Sequence, residues 1–328
     1  MGEHIERLAE FVARTRWEDV PEPAQRHTKL VFLDTLGVIL AGAERPEVRQ
    51  LRERLAGTAG AGVTVYARGW PTHDPRTAAL LNGIAGRSIE LCEGLRLVSG
   101  QAAMQILPGV LAVTEHARSS GREMLAALLL GYDVAGRLAG GFTPRPLAHQ
   151  NGQVSLLAAT AAGARLRGLD AAGISRAMRI ATTMLLTPSY TNAVAGATTL
   201  NVAGGMSGFA AALAPELALA GFEAQKDAIE EALGQLVGSA FTPEAFSTSS
   251  ARGGRSPATI SGFMPAAIRS TPRWIGCARP WPNCTRAPIR SSASMSPLIV
   301  SPRSCATRTR PITSPRNTRC PMQPQPWS

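Results

Sequence analysis

The segment SGREMLAALLLGY (120–132) decides the fold class. Ser120 followed three residues later by Glu123 is a capping-box pattern, which marks where a helix begins. Behind it Leu125, Leu128, Leu129 and Tyr132 recur at the 3.6-residue period of one helical face. Working outward, the same reading repeats through the first 245 residues. Pro21 and Pro23 sit where a helix can start, since proline lacks only a donor that the first turn does not use. Phe32, Leu36, Ile39 and Leu40 then fall on one expected buried face. Pro46 opens a short charged helix. Asp170 caps another, with Ile174, Ala177, Met178 and Ala181 on its inner face. GVTVYARGW (62–70) is the one stretch that reads as a strand.

The remaining helical stretches, NGIAG, LLAATAAGA and AGGMSGFAAALA, are rich in alanine and glycine. Small residues let helix backbones approach closely, so a compact bundle with little aromatic filling is expected. A phosphate cradle would need a strand feeding a glycine-rich turn at set spacing, and no such pattern occurs. The expected fold class is all-α.

Charge divides the chain into two parts. The formal net charge is +11, but residues 246–328 hold 12 arginines, no lysine and no acidic residue. Without them the body has 22 basic and 23 acidic residues, a net of −1. The tail also carries 13 of the 24 prolines and four of the five cysteines. The expected domains are therefore a helical one, 1–245, and an Arg/Pro/Ser-rich tail, 246–328, read as disordered. The basicity resembles a nucleic-acid-binding tail, yet such tails carry lysine and seldom scatter Cys and Trp. No nucleic-acid partner is expected. No uninterrupted apolar run reaches the roughly 18 residues of a membrane span. The charged start MGEHIERLAEF lacks the apolar core of a signal peptide. No membrane partner is expected, and the expected location is cytoplasmic. Cys92 alone in the body excludes a disulfide framework there. Cys277, Cys284, Cys305 and Cys320 are spaced irregularly and no histidine accompanies them, so no metal site is expected.

Arg, Pro, Ser, Thr and Cys without Lys or acids is what a GC-rich gene yields in the wrong frame. The genetic code permits a check. When each codon is started on the third base of the previous one, PATISGFMPAAIRSTPRW (257–274) can read SNYFRLHACCNPIHPAL. The same offset lets SPRNTRCPMQPQPW read AAKYSMPHAAAAMV. Fixed bases of Met, Trp, Phe, Asn and Cys constrain this freedom, and one offset fits the whole tail. A single frameshift between Glu244 and Ser250 is expected.

The body resembles the MmgE/PrpD family, which includes 2-methylcitrate dehydratase and cis-aconitate decarboxylase. FLDTLGVILAGA (32–43), residues 106–138 and GFAAALAPELALAGF (208–222) carry the resemblance, and with their spacing they cover most of residues 5–240. The decoded tail strings resemble the second half of the family. The resemblance implies a large helical domain and a smaller α/β lid, with the active site between them and dimerisation through the helices. It implies lyase or isomerase chemistry on small di- or tricarboxylates, with no obligatory metal or organic cofactor. That chemistry needs cations for the carboxylates, a base for the α-proton and an acid for the leaving group.

Carried onto this sequence, the family's acidic slot falls on Cys92, and its His-Pro pair falls on Gln101 and Ala102. Glutamine can hold a substrate oxygen but cannot cycle a proton near neutral pH. Glu90 and Glu93 stand nearby, with a solvated or capping role as the plainer alternative. His149 matches a family histidine before an Ala-rich helix, and Asn151 stands in place of a second one. A surface-loop histidine is the alternative there. A lysine and a histidine of many relatives fall on Leu200 and Ala203, leaving Thr198 and Thr199 as hydrogen-bond donors. The candidate catalytic residues are thus His149 and Glu93. The candidate substrate-binding residues are Gln101, Asn151 and Thr199. The expected function is a lyase of this family by descent, inactive as written and acting on a small carboxylate if active. The alternative is a non-catalytic helical dimerising protein or a pseudogene product.

Overall fold

The computed structural model describes residues 3–60, 62–95 and 100–243. The tail beyond them, with its four cysteines and the frameshift expected there, lies outside the described residues. The helices are α1 (Glu3–Arg14), α2 (Glu22–Gly42), α3 (Pro46–Leu55), α4 (Pro75–Arg87), α5 (Ala103–Ala117) and α6 (Gly121–Gly141). They continue with α7 (Val154–Leu166), α8 (Ala171–Ile180), α9 (Tyr190–Val194), α10 (Asn201–Leu219) and α11 (Ala228–Glu231). Among the described residues the only sheet is a pair of short antiparallel strands, β1 (Phe142–Pro144) and β2 (Gly238–Phe241). The all-α expectation holds.

Helix starts follow the expected chemistry. Asp170 accepts from the Gly173 amide at 2.8 Å and caps α8, whose buried face includes Ile174, Ala177 and Met178. Ser120 accepts from the Glu123 amide at 3.2 Å and caps α6. The reciprocal half of the box is absent, because the Glu123 carboxylate turns to Arg165 on α7 instead. A full charge on the neighbouring helix outcompetes one backbone amide. Asp170→Ala is expected to lower stability by about 1 kcal/mol. Urea unfolding followed by circular dichroism checks this, and an unchanged midpoint would show that the cap is dispensable.

Two sequence expectations need correction. Residues 62–70 form no strand: Val63 makes an isolated bridge with His73, and the segment turns at once. Its alternating pattern instead serves a small cluster in which Val63 and Val65 pack beside Leu81 and Ala112. On α2 Ile39 is buried and Phe32 and Leu36 pack partly buried against the core as expected, but Leu40 is exposed and the fully buried face runs through Val31, Thr35, Val38, Ile39 and Gly42. The helix is apolar on several sides, and the small Gly42 lets that face lie against the backbone of Ala85 on α4. Length also needs restating. Thr198–Leu219 is long and apolar enough to cross a membrane by length and composition. Only Glu216 interrupts it, and 61% of its apolar window is buried in the protein. It occupies the position of a core helix.

Helix α10 is the hub of the bundle. Gly83 on α4 meets Gly204 and Gly205, and Ala79 meets Gly208, so α4 runs antiparallel to α10. Met104 on α5 lies against Gly204, and Gly109 lies against Gly208, so α5 runs parallel to it. Gly163 on α7 meets Ala211. Near its own start α7 is tied to α5, because the Gly152 amide donates to Gln105 Oε1 at 2.8 Å. Three long helices, α5, α7 and α10, therefore begin at one end of the bundle, and α4 ends there with Arg87.

Candidate functional site

The polar groups of the core gather at that end. Gln105 is 1% exposed in the first turn of α5 and joins two of the candidate residues. Its Nε2 donates to the Gln101 carbonyl at 2.7 Å and to Asn151 Oδ1 at 3.4 Å. Its Oε1 accepts from the Gly152 amide and, at 3.2 Å, from Ser207 Oγ on α10. The Asn151 amide in turn donates to His149 Nδ1 at 3.2 Å. Asn151 is wholly buried and its Nδ2 has no hydrogen-bond partner among the described residues. The neighbouring Gln153, also wholly buried, leaves both side-chain polar atoms without partners. Unpaired buried amides of this kind are costly. Gln101 and Gln105 also line a cavity of about 120 Å³, walled by Ala135 and Ala139 of α6 and by Phe142.

His149 is buried on the segment before α7 and stacks on Tyr190, with ring centroids 5.6 Å apart. Burial pushes its pKa below the usual histidine value, and the Arg87 charge adds to this, opposed by Glu90. A ring accepting at Nδ1 carries its proton at Nε2. His149 is thus a neutral imidazole with one donor left to offer.

Glu93 is placed differently. Its carboxylate accepts from the Ala103 amide at 2.7 Å and so caps the start of α5. Burial raises its pKa to about 7, against the lowering effect of backbone donors at Ala103, Met104 and Ala102. The Asp34 charge raises it further. The capping alternative therefore describes its contacts, while a carboxyl titrating near neutrality keeps acid–base capacity. Thr199 stays apart. It is exposed in the turn Thr198–Leu200 and shares no hydrogen bond with the other four.

Three residues central to this end escaped the sequence reading. Gln105 and Ser207 were each legible as a polar residue inside an apolar helix, AMQILPGVLAVTEHA and NVAGGMSGFAAALA. Arg87 closes the small-residue helix PRTAALLNGIAGR and is 3% exposed. It forms an ion pair with Glu90. Beside it the Cys92 thiol donates to the Gly86 carbonyl at 3.8 Å, and burial pushes its pKa up to about 12, so it is uncharged.

A buried guanidinium, a neutral imidazole, buried amides and three helix starts form a site suited to a small anion. A search of curated proteins returns no match. Residues 6–246 match the MmgE/PrpD N-terminal domain family. With most of the chain covered and the helical architecture in agreement, the chain belongs to the MmgE/PrpD family, which includes dehydratases and related lyases.

Proposed function

We propose that the chain descends from a lyase that eliminates water or carbon dioxide, or moves a proton, next to a carboxylate of a small di- or tricarboxylic acid, and that it is catalytically impaired as written. The observation that carries the reading is the buried polar chain Gln105–Asn151–His149, joined to the Gln101 carbonyl, at the end where α5, α7 and α10 begin. Such an arrangement holds a carboxylate by hydrogen bonds and partial positive charge. Proton cycling is thinner. Gln101 cannot titrate, Cys92 is held as a thiol, and Glu93 is engaged at the start of α5. His149, with Glu93 if it leaves that cap, remains able to shuttle a proton. This imbalance between holding and proton transfer also favours the second reading, a non-catalytic helical protein that pairs with its own copy.

The impairment has a second proposed source. In this reading residues 246–328 are the out-of-frame remnant of a lid that completed the site. Leu147 and Val194, 73% and 77% exposed, support a missing cover on the side of His149. The proposed location is the cytoplasm, with no metal or organic cofactor required. Assays with cis-aconitate and 2-methylcitrate test the proposal on the chain as written and on a version with the frame restored at codons 244–250. Turnover is expected only after restoration. Turnover by the chain as written would overturn the impairment, and a restored chain that turns over neither acid would remove support for the lyase reading.

A further inference from the structure

Arg87 is a buried cation whose ion-pair partner among the described residues is exposed. Its side chain is 3% exposed, and its Nε has no hydrogen-bond partner among the described residues. A guanidinium taken out of water needs a counter-charge and filled donors. The ion-pair partner is the Glu90 carboxylate, whose side chain is 65% exposed. Glu90 reaches it from a left-handed backbone, φ 55°, which disfavours any residue with a Cβ. Among the described residues, no carboxylate other than Glu90 forms an ion pair with Arg87. Cys92 is a thiol, and His149 is neutral and feels Arg87 as a repelling charge. Glu93 is turned to the Ala103 amide. Ser88, next in sequence to Arg87, accepts from Asn201 Nδ2 at 3.5 Å, and Gly204 lies against the Arg87 Cβ, so the start of α10 stands beside the end of α4 that carries Arg87. The starts of α5 and α7 add partial positive charge at the same end.

We infer that the Arg87 guanidinium is the carboxylate-receiving group of this site, and that the Glu90 carboxylate is its internal occupant, displaced when the carboxylate of a small acid binds. The inference rests on the reading of this end as the acid-binding site. It concerns binding, which the chain can retain without turnover. The guanidinium fork matches a carboxylate bidentately, and a ligand carboxylate can fill the donor that Glu90 leaves open. A ligand with further carboxylates can also reach the His149 Nε2 donor. Glu90, being exposed, can swing to water at little cost.

Isothermal titration of the full chain with cis-aconitate tests this, with circular dichroism melts confirming that each variant folds. E90Q removes the competing charge and is expected to tighten binding about tenfold. R87M is expected to weaken binding at least tenfold, and R87K to recover part of it as a point charge without the fork. C92D, which adds a second internal carboxylate, is expected to weaken binding. Binding by R87M equal to that of the original chain would overturn the assignment, as would weaker binding by E90Q. Absence of binding in both the original chain and E90Q would also overturn it. Because heat of binding is read without turnover, this failure is distinct from failure of the lyase reading, which is scored on the frame-restored chain.

Discussion

Gly163→Ala is expected to destabilise the helical domain by about 3 kcal/mol, the upper part of the range for overpacking a core. A methyl group placed on Gly163 would stand 2.1 Å from the carbonyl oxygen of Ala211 and 3.0 Å from its carbonyl carbon. Both atoms are backbone, so no side chain can turn aside to relieve the contact. Helices α7 and α10 would have to separate. Their contact lies in a core where Ala158, Ala159, Ala161, Ala162, Ala210 and Ala211 are wholly buried, and a separation would open gaps along the whole seam. The helix propensity of alanine, worth up to about 1 kcal/mol over glycine, offsets only part of this. Gly37 on α2 provides the control. It is exposed, and nothing lies within 4 Å of a methyl group added there. Gly37→Ala is expected to stabilise by about 0.5–1 kcal/mol through propensity alone. Thermal melts of both variants, and of Gly163→Ala built on the Gly37→Ala background, check the pair. A drop on the order of 10 °C is expected for Gly163→Ala. A melting point equal to that of the original chain would mean that α7 and α10 do not meet at this point.

Those glycines show what was legible in the sequence and what was not. Alanine- and glycine-rich helices announce close packing, and the announcement held for α4, α5, α7 and α10. Caps at Ser120 and Asp170 were legible because they act within four residues of themselves. On the inner face of α2 only Leu40 fails, because apolar residues nearly encircle the helix and the partner that selects the buried side, Ala85, lies 43 positions from Gly42 in sequence. The strand at 62–70 failed because alternation needs a neighbouring strand to pair with; the segment bridges only at Val63 with His73, and the Thr64 and Tyr66 amides donate to the side chains of Glu115 and Asn82 instead. The site was half legible for the same reason. Gln101, His149 and Asn151 were singled out by the family positions they match, but Gln105, which bonds Gln101 and Asn151, has partners 46 and 102 residues away. Arg87 carried no local sign of burial at all. Its environment is made by α10 and by the loop that follows α4.

Glu93→Gln is expected to raise stability by under about 1 kcal/mol at pH 5 and by up to roughly 3 kcal/mol at pH 8, the free energy of a carboxyl displaced from 4.5 to about 7. The sign follows from proton binding. The folded chain holds the Glu93 proton more tightly than the unfolded chain does. Its contribution is complete below about pH 4.5, declines as pH rises, and is lost above about pH 7. The physical cause is burial first, with Asp34 adding like charge. The Ala103 amide pulls the other way by donating to Oε1 at 2.7 Å. Oε2 has no partner among the described residues, so an ionised carboxylate there is half solvated by nothing. Glutamine keeps an acceptor for the Ala103 amide and cannot ionise. Urea unfolding of both chains at pH 5 and pH 8 measures the difference. A gap between them that does not change with pH would mean that the amides at the start of α5 hold Glu93 ionised in both conditions. The same substitution separates capping from acid–base work in the frame-restored chain. A pure cap changes stability and leaves the pH profile of kcat alone. A proton-cycling Glu93 loses kcat by about 10²–10⁴ and loses the limb of the profile near pH 7. Because the carboxyl sits at the start of the helix that carries Gln105, either outcome also fixes whether this end of the bundle holds its ligand with a movable proton or with hydrogen bonds alone.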